Sequence, residues 1–312
     1  MMQQTTNAIV LIRPLDFRMN EQTARTNYYQ KQIGNVLPAT IQNKVLKEFD
    51  AFVALLRDVG VNTVVINDTQ EFDTPDAIFP NNWISLHQNG VVGVYPLFAQ
   101  NRRLERREEI LVNLEAFGYK IDQIIDYTSA EDEGFFLEGT GSMVLDRENR
   151  KAYCALSPRT DEDLFIEFCE DFEFTPVIFS ANQTINNELK VIFHTNLMLC
   201  IAENFAIVCL EVIKDKKERK KIIANLKADE KELITITTNQ LNSFAGNVLQ
   251  VRGQNDKRYL VMSHRAYNSL SLLQIEIIEN HCEIITAHLE TIETYGGGSV
   301  RGMIAEIFLP KD

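Results

Sequence analysis

One order of elements recurs five times along this chain, with a period of about 55 residues, and that recurrence limits the possible folds more than any local motif. A short apolar strand, Asn7–Arg13, comes first. Pro38–Asp58 then places Ile41, Val45, Phe49, Phe52, Val53 and Leu56 at helical spacing and is closed by Gly60. Val61–Ile66 reads as a strand, and Trp83–His87 with Val91–Tyr95 flank Asn89-Gly90, a strong hairpin-turn signal. The same series returns as a helix over Arg102–Phe117, a strand over Ile121–Tyr127 and a hairpin of Ser142–Leu145 with Ala152–Leu156. A third pass has a helix over Thr160–Phe172 with Thr160 as its cap, strand Val177–Ser180, and hairpin Leu197–Ala202 with Phe205–Leu210. The fourth gives helix 213–227, strand Leu233–Thr238, and hairpin Asn247–Val251 with Tyr259–Ser263. The fifth gives helix Ala266–His281, strand Glu283–Thr286 and a last strand around Val300–Leu309 that lacks a hairpin partner.

The unattached strand Asn7–Arg13 is the natural partner for that last strand. The expectation is a single α/β domain over 1–312, closed where its N-terminal strand pairs with the fifth unit. The residues just before the first hairpin arm are Asn82, Glu138, His194, Asn247 and Gly302, separated by 56, 56, 53 and 55 residues. In a closed ring such equivalent positions converge on the central axis, so these side chains are expected to share one pocket.

Net charge −13 argues against nucleic acid or an anionic membrane surface as a partner, and the basic run Lys214–Lys221 is interleaved with acids as a solvated helix face would be. With no leader-like opening and no apolar run long enough to span a bilayer, a cytoplasmic protein is expected. The five cysteines, Cys154, Cys169, Cys200, Cys209 and Cys282, lack CxxC spacing and sit mostly in apolar runs, as reduced buried thiols do. No phosphate loop, dinucleotide fingerprint or metal-ligand cluster is present, so no cofactor and no metal are expected. Monomer and homo-oligomer both fit the sequence.

Several residues could carry chemistry. Glu138, among apolar residues and glycines, is either a surface turn glutamate or a buried carboxylate that needs a cationic or donor-rich partner. His194 is either a satisfied core group or a proton shuttle near neutral pH. Asn82 offers a donor and an acceptor or simply makes a turn after Pro80, and Phe79 is either core or a lid over a flat group. Arg102 and Arg103, opening a helix, and Arg159, just before one, could grip a carboxylate with two parallel hydrogen bonds. The glycine turn Gly296-Gly297-Gly298-Ser299-Val300-Arg301 lets a ligand approach the main chain and presents position 302.

Phe79-Pro80-Asn81-Asn82, Glu138-Gly139, Ser157-x-Arg159-Thr160, His194-x-Asn196 and the glycine turn occur in order at repeat spacing. In these motifs the chain resembles, end to end, the guanidino-group-modifying superfamily of arginine deiminases, dimethylarginine dimethylaminohydrolases and amidinotransferases. It looks most like the citrulline-utilisation hydrolase type. The resemblance implies a five-bladed α/β propeller with pseudo-fivefold symmetry. It also implies a small-molecule substrate, a ureido or guanidino amino acid of the citrulline or arginine type. A thiolate would attack the central carbon, an amine would leave, and a histidine-activated water would release the product. On that resemblance His194 is the base, Glu138 the orienting carboxylate and position 302 the nucleophile, with Phe79, Asn82, Asn196, Arg102, Arg103, Arg159 and Ser299 around the substrate.

Three departures qualify the resemblance. Asn82 and Asn196 stand where deiminases usually have aspartate, which suits a neutral ureido group better than a guanidinium. Position 302 is glycine, which supplies no nucleophile, and no cysteine sits at an equivalent position. The expectation is therefore a C–N hydrolase of impaired activity. An amidinotransferase and a ligand-binding relative without turnover are the alternatives.

Overall fold

Five three-stranded sheets of identical topology organise the chain in a computed structural model that describes residues 3–34 and 36–311. The strands are β1 (Ala8–Arg13), β2 (Asn62–Asn67), β3 (Ile84–Leu86), β4 (Val91–Val94), β5 (Gln123–Asp126) and β6 (Met143–Asp146). They continue as β7 (Lys151–Ala155), β8 (Thr175–Phe179), β9 (Asn182–Ile185), β10 (Glu188–Val191), β11 (Leu199–Ile201) and β12 (Phe205–Val208). The last are β13 (Glu232–Thr235), β14 (Leu249–Arg252), β15 (Arg258–Ser263), β16 (Glu283–Ala287) and β17 (Ala305–Glu306). The sheets order β17-β1-β2, β3-β4-β5, β6-β7-β8, β11-β12-β13 and β14-β15-β16.

In every sheet the middle strand runs antiparallel to the first and parallel to the third. A parallel neighbour needs a crossover, and helical segments supply it between middle and third strand, beginning with Pro38–Asp58 between β1 and β2. That helix buries Ile41, Val45, Phe49, Phe52, Val53 and Leu56, the stripe its periodicity predicts, against β1 and residues of β14 to β16. The two ends of the chain meet as expected, with Ile9 opposite Glu306 and Val10 opposite Ala305.

The structure departs from the sequence expectations in several places. The helix expected over Arg102–Phe117 is two pieces, a 3₁₀ helix Gln100–Glu105 and an α-helix Glu108–Ala116. Between them Arg106 donates to the Tyr95 carbonyl at 3.1 Å and pairs with Glu131, while Arg107 donates to the Asn67 carbonyl at 3.0 Å, so these side chains hold the break. The helix expected over Ala266–His281 divides into His264–Ser269 and Leu272–Glu279, because Ser271 and Gln274 form a capping box between them. The cap of Glu162–Asp171 is Asp161, which accepts from Asp163 and Leu164, and not Thr160. The last strand is only Ala305–Glu306, since Val300–Met303 is a helical turn.

That last difference has a pattern. A helical turn also precedes the first arm at Pro80–Asn82, Gly139–Ser142 and Thr195–Leu197. One hairpin was not foreseen, β9 with β10, whose turn residues Asn186 and Asn187 have φ of 51° and 65°. Paired positive φ values are the requirement of the two-residue hairpin turn. Among the described residues no helix is long and apolar enough to cross a membrane.

Candidate functional site

The single helical turns bring their residues to one cavity. Asn82, His194, Asn247 and Gly302 line it, together with Phe79, Arg102, Arg159 and Asn196. Glu138, fully buried, meets the cavity wall through two contacts: its Oε2 lies 2.6 Å from His194 Nε2 and 3.3 Å from Arg159 Nη1. The other oxygen accepts the Phe98 N–H at 3.0 Å. Chain geometry explains the Arg159 contact. Thr160 bridges to Leu137 and Ser157, and the Glu138 N–H donates to the Arg159 carbonyl at 3.2 Å, so the two loops are laced together.

Gly141 completes this corner. A Cβ there would come within 2.4 Å of Asn82 Nδ2 and 3.1 Å of His194 Nδ1, so only glycine lets the amide and the imidazole approach each other.

Burial would push the Glu138 carboxyl up, but Arg159, His194 and Arg102 together outweigh it and hold the group ionised, well below the usual carboxylate range. His194 moves down from its ordinary 6.5, first because it is buried and then because Arg159 and Arg102 face it, against the pull of Glu138. The pair is thus a carboxylate beside a neutral imidazole. Nε2–H donates to Glu138, and Nδ1 is left with a lone pair that can take a proton.

The same depression fixes a stability trend. His87, buried beside Arg147 and Arg150, is also held well below 6.5, again chiefly by burial. Both imidazoles stay neutral in the fold while the unfolded chain takes up protons below about 6.5, so the unfolded state binds more protons and stability falls with pH. The unfolding free energy, and the urea midpoint with it, should decline from about pH 6.5 downward, the free energy by up to about 1.4 kcal/mol per pH unit for each histidine. A midpoint unchanged between pH 8 and 5 contradicts this.

Two amides have their orientation forced. Arg102 only donates, and its Nη1 lies 2.7 Å from Asn82 Oδ1, so the Asn82 oxygen is taken. The remaining contacts of Arg102 are Glu105, at 2.8 and 2.9 Å, and the Phe79 carbonyl at 3.1 Å. Asn247 Oδ1 accepts the Ser299 N–H at 3.1 Å, so its Nδ2 faces Asn196 and donates to Oδ1 at 3.2 Å. Asn82 and Asn196 therefore each have an engaged oxygen; Asn82 Nδ2 donates one hydrogen to Asn81 Oδ1 at 2.9 Å and keeps one, while Asn196 presents its NH₂ group.

Phe79 lies against the glycine turn. A Cβ at Gly296 or Gly298 would sit 2.9 Å from its ring, closer than side chains pack, whereas one at Gly302 would stand 3.0 Å from it and press the ring by a few tenths of an ångström. Ser299 is buried behind the cavity with its hydroxyl 2.7 Å from Glu293 Oε1. Arg103 lies apart: it donates to the Leu97 carbonyl at 3.1 Å and pairs with Glu131 at 3.3 Å, outside the cavity lining. The five cysteines are all buried and away from the cavity, and burial raises their thiols, to about 12 for Cys169 and Cys200 and about 11 for Cys209 and Cys282.

Thr23, Asn27 and Asp76 also line the cavity without having been singled out from the sequence. Asp76 is buried, its Oδ2 accepts from Asn20 and Thr23 at 2.8 and 3.0 Å, and its Oδ1 has no partner. Burial raises its carboxyl despite Arg102. The spacing Asp76-x-x-Phe79-x-x-Asn82, one face of a turn, was the signal available.

A family model described as N,N dimethylarginine dimethylhydrolase, eukaryotic, matches residues 13–309. The chain belongs to that family, within the guanidino-modifying superfamily of arginine dihydrolases and dimethylarginine dimethylaminohydrolases. Among solved structures it is similar to unliganded ArgZ, an arginine dihydrolase from the ornithine-ammonia cycle in Cyanobacteria, with a TM-score of 0.74 and 14% identity over 98% of this chain and 41% of that one. It is similar to an AgrE variant in complex with L-arginine, with a TM-score of 0.72 and 13% identity over 98% of this chain and 40% of that one. A dimethylarginine dimethylaminohydrolase variant carrying an adduct with S-methyl-L-thiocitrulline gives a TM-score of 0.65 at 14% identity, over 97% of this chain and all of that one. At these identities the likeness is one of fold, and the chain spans about two fifths of the length of ArgZ and AgrE. No curated protein matches the chain by sequence.

Proposed function

We propose that the cavity is the substrate site of a hydrolase acting on a C–N bond of a ureido amino acid of the citrulline type, with Gly302 at the nucleophile position. In this form the chain binds its ligand and turns it over slowly or not at all. One observation carries the choice of ligand. Asn82 and Asn196 have their oxygens engaged and keep N–H donors, one hydrogen on Asn82 beyond its bond to Asn81 and the NH₂ group of Asn196, so the cavity offers donors where a ureido carbonyl needs them and a guanidinium would meet N–H against N–H.

The surrounding groups support an amino acid. Arg102 and Arg159 have most of their five donors held by protein, leaving an Nη1 hydrogen of each for a carboxylate. The unpartnered oxygen of Asp76 suits the α-ammonium. His194 Nδ1 is the base and Glu138 fixes its tautomer. With a cysteine at position 302, the thiol would pass its proton to Nδ1, the thiolate would attack the central carbon, and the bond to an amine would break as the amine takes that proton from the imidazolium. Water, deprotonated at Nδ1, would then displace the thiolate. A five-bladed propeller, with the five sheets as blades around this cavity, belongs to the same reading.

Calorimetry on the chain as it stands tests the ligand. Citrulline should bind at least about tenfold more tightly than arginine, on the order of one buried donor–acceptor mismatch. Asn82→Asp should shift the preference toward arginine. Equal or tighter binding of arginine to the unsubstituted chain sinks the ureido assignment.

A further inference from the structure

We infer that the opposite end of the first two hairpins carries a second site, built around Arg147, for a small phosphate or carboxylate oxyanion. The first hairpin arms begin beside the cavity described above and run away from it. The β3–β4 and β6–β7 turns therefore lie at the far end, where a separate cavity of about 690 Å³ opens. His87, Gln88 and Asn89 come to it from one turn, Arg147 and Arg150 from the other, and Phe308 from the chain end.

Arg147 is only 6% exposed, and its guanidinium lies flat over Phe308, 4.0 Å from the ring centre. Its nearest carboxylate oxygen, Glu306 Oε2, is 3.8 Å away and already accepts from Arg301 at 2.8 Å. The remaining polar neighbour is His87 Nδ1 at 3.5 Å, itself a group kept neutral by burial. A buried guanidinium with no carboxylate at hydrogen-bond distance, its ion pair with Glu306 stretched to 3.8 Å and shared with Arg301, is only partly compensated, and here it borders open space.

Arg150, over the Phe174 ring at 4.2 Å, adds a second cation to the wall. The two acids of the cavity do not neutralise Arg147. Asp171 accepts the Tyr127 hydroxyl at 2.7 Å, and the Glu173 carboxylate is 88% exposed and sits 3.9 Å from Arg150. The planar fork of Arg147 matches the two oxygens of a carboxylate or phosphate.

Thermal unfolding of the full chain tests this, with inorganic phosphate and succinate titrated separately at constant ionic strength against a chloride control. Saturating ligand should raise Tm by about 2–4 °C. A response to phosphate alone assigns the site to phosphate esters or phosphate, and a response to succinate alone assigns it to organic acids. Arg147→Gln should abolish the shift. Should that variant fail to fold, Gln88→Glu, at an exposed position on the cavity wall, sets a carboxylate beside the ligand and should weaken binding at least about tenfold. No shift with either anion overturns the inference, and so does a shift that survives these substitutions, because the anion is then bound elsewhere.

Discussion

Gly302→Cys should turn a chain with no ammonia release above background into one that consumes citrulline, with a gain on the order of 10⁴–10⁶-fold. The size follows from what is missing. On the proposed function a base, its orienting carboxylate and a shaped cavity stay in place without the nucleophile, and loss of a nucleophile alone removes most of a covalent enzyme's rate. The new side chain has room, since its Cβ would stand 3.0 Å from Phe79 Cδ1 and the ring must yield only a few tenths of an ångström. Gly302→Ala is the control, adding the carbon without the sulfur, and should gain nothing. Silence from Gly302→Cys with citrulline, arginine and methylated arginines would eliminate the hydrolase and leave the binding relative. Product analysis with an added acceptor amine separates hydrolysis from amidino transfer.

Glu138→Gln is the second large effect, seen in both stability and rate. The carboxylate is fully buried between Arg159 and His194. An amide leaves a buried cation without its partner, and the unfolding free energy at neutral pH should fall by about 3–5 kcal/mol. The sign follows from linkage: a carboxyl held below its unfolded value stabilises the fold at neutral pH. That contribution disappears only as pH drops through the folded value, below the ordinary carboxylate range. In the Gly302→Cys background, turnover should fall on the order of 10²–10⁴-fold, because a glutamine can present N–H to Nε2 and so favour the wrong tautomer of His194. A variant that keeps its rate within threefold would remove Glu138 from the mechanism.

Periodicity made the repeat legible. The apolar stripe of Pro38–Asp58 and the Asn89-Gly90 turn name their elements directly, and equal spacing along the chain is enough to bring Glu138 and His194 together. Side-chain direction was not legible. Arg102 and Arg103 are neighbours in sequence, yet the first is buried against Asn82 and the second leans on Glu131, a choice made by the 3₁₀ winding that ends at Arg106. Asp76 was overlooked because a loop acid has no periodic signature, and its unpaired oxygen exists only once Asn20 and Thr23 have folded over the other one. Val300–Met303 read as strand because apolar residues before Ala305 fit either period, and the turn is decided by the space Phe79 needs.

Pairing of Ile9 with Glu306 bears on how the molecule is made. During synthesis the first strand can find its neighbour at residues 62–67 early, but its other edge must wait until residues 305–306 have emerged. Residues 296–302, which wall the pocket, arrive in the same late interval. A nascent chain that stops short of residue 296 thus carries Glu138 and His194 without the residues that close the cavity, and on the proposed function a ligand can rescue only chains extended past residue 302.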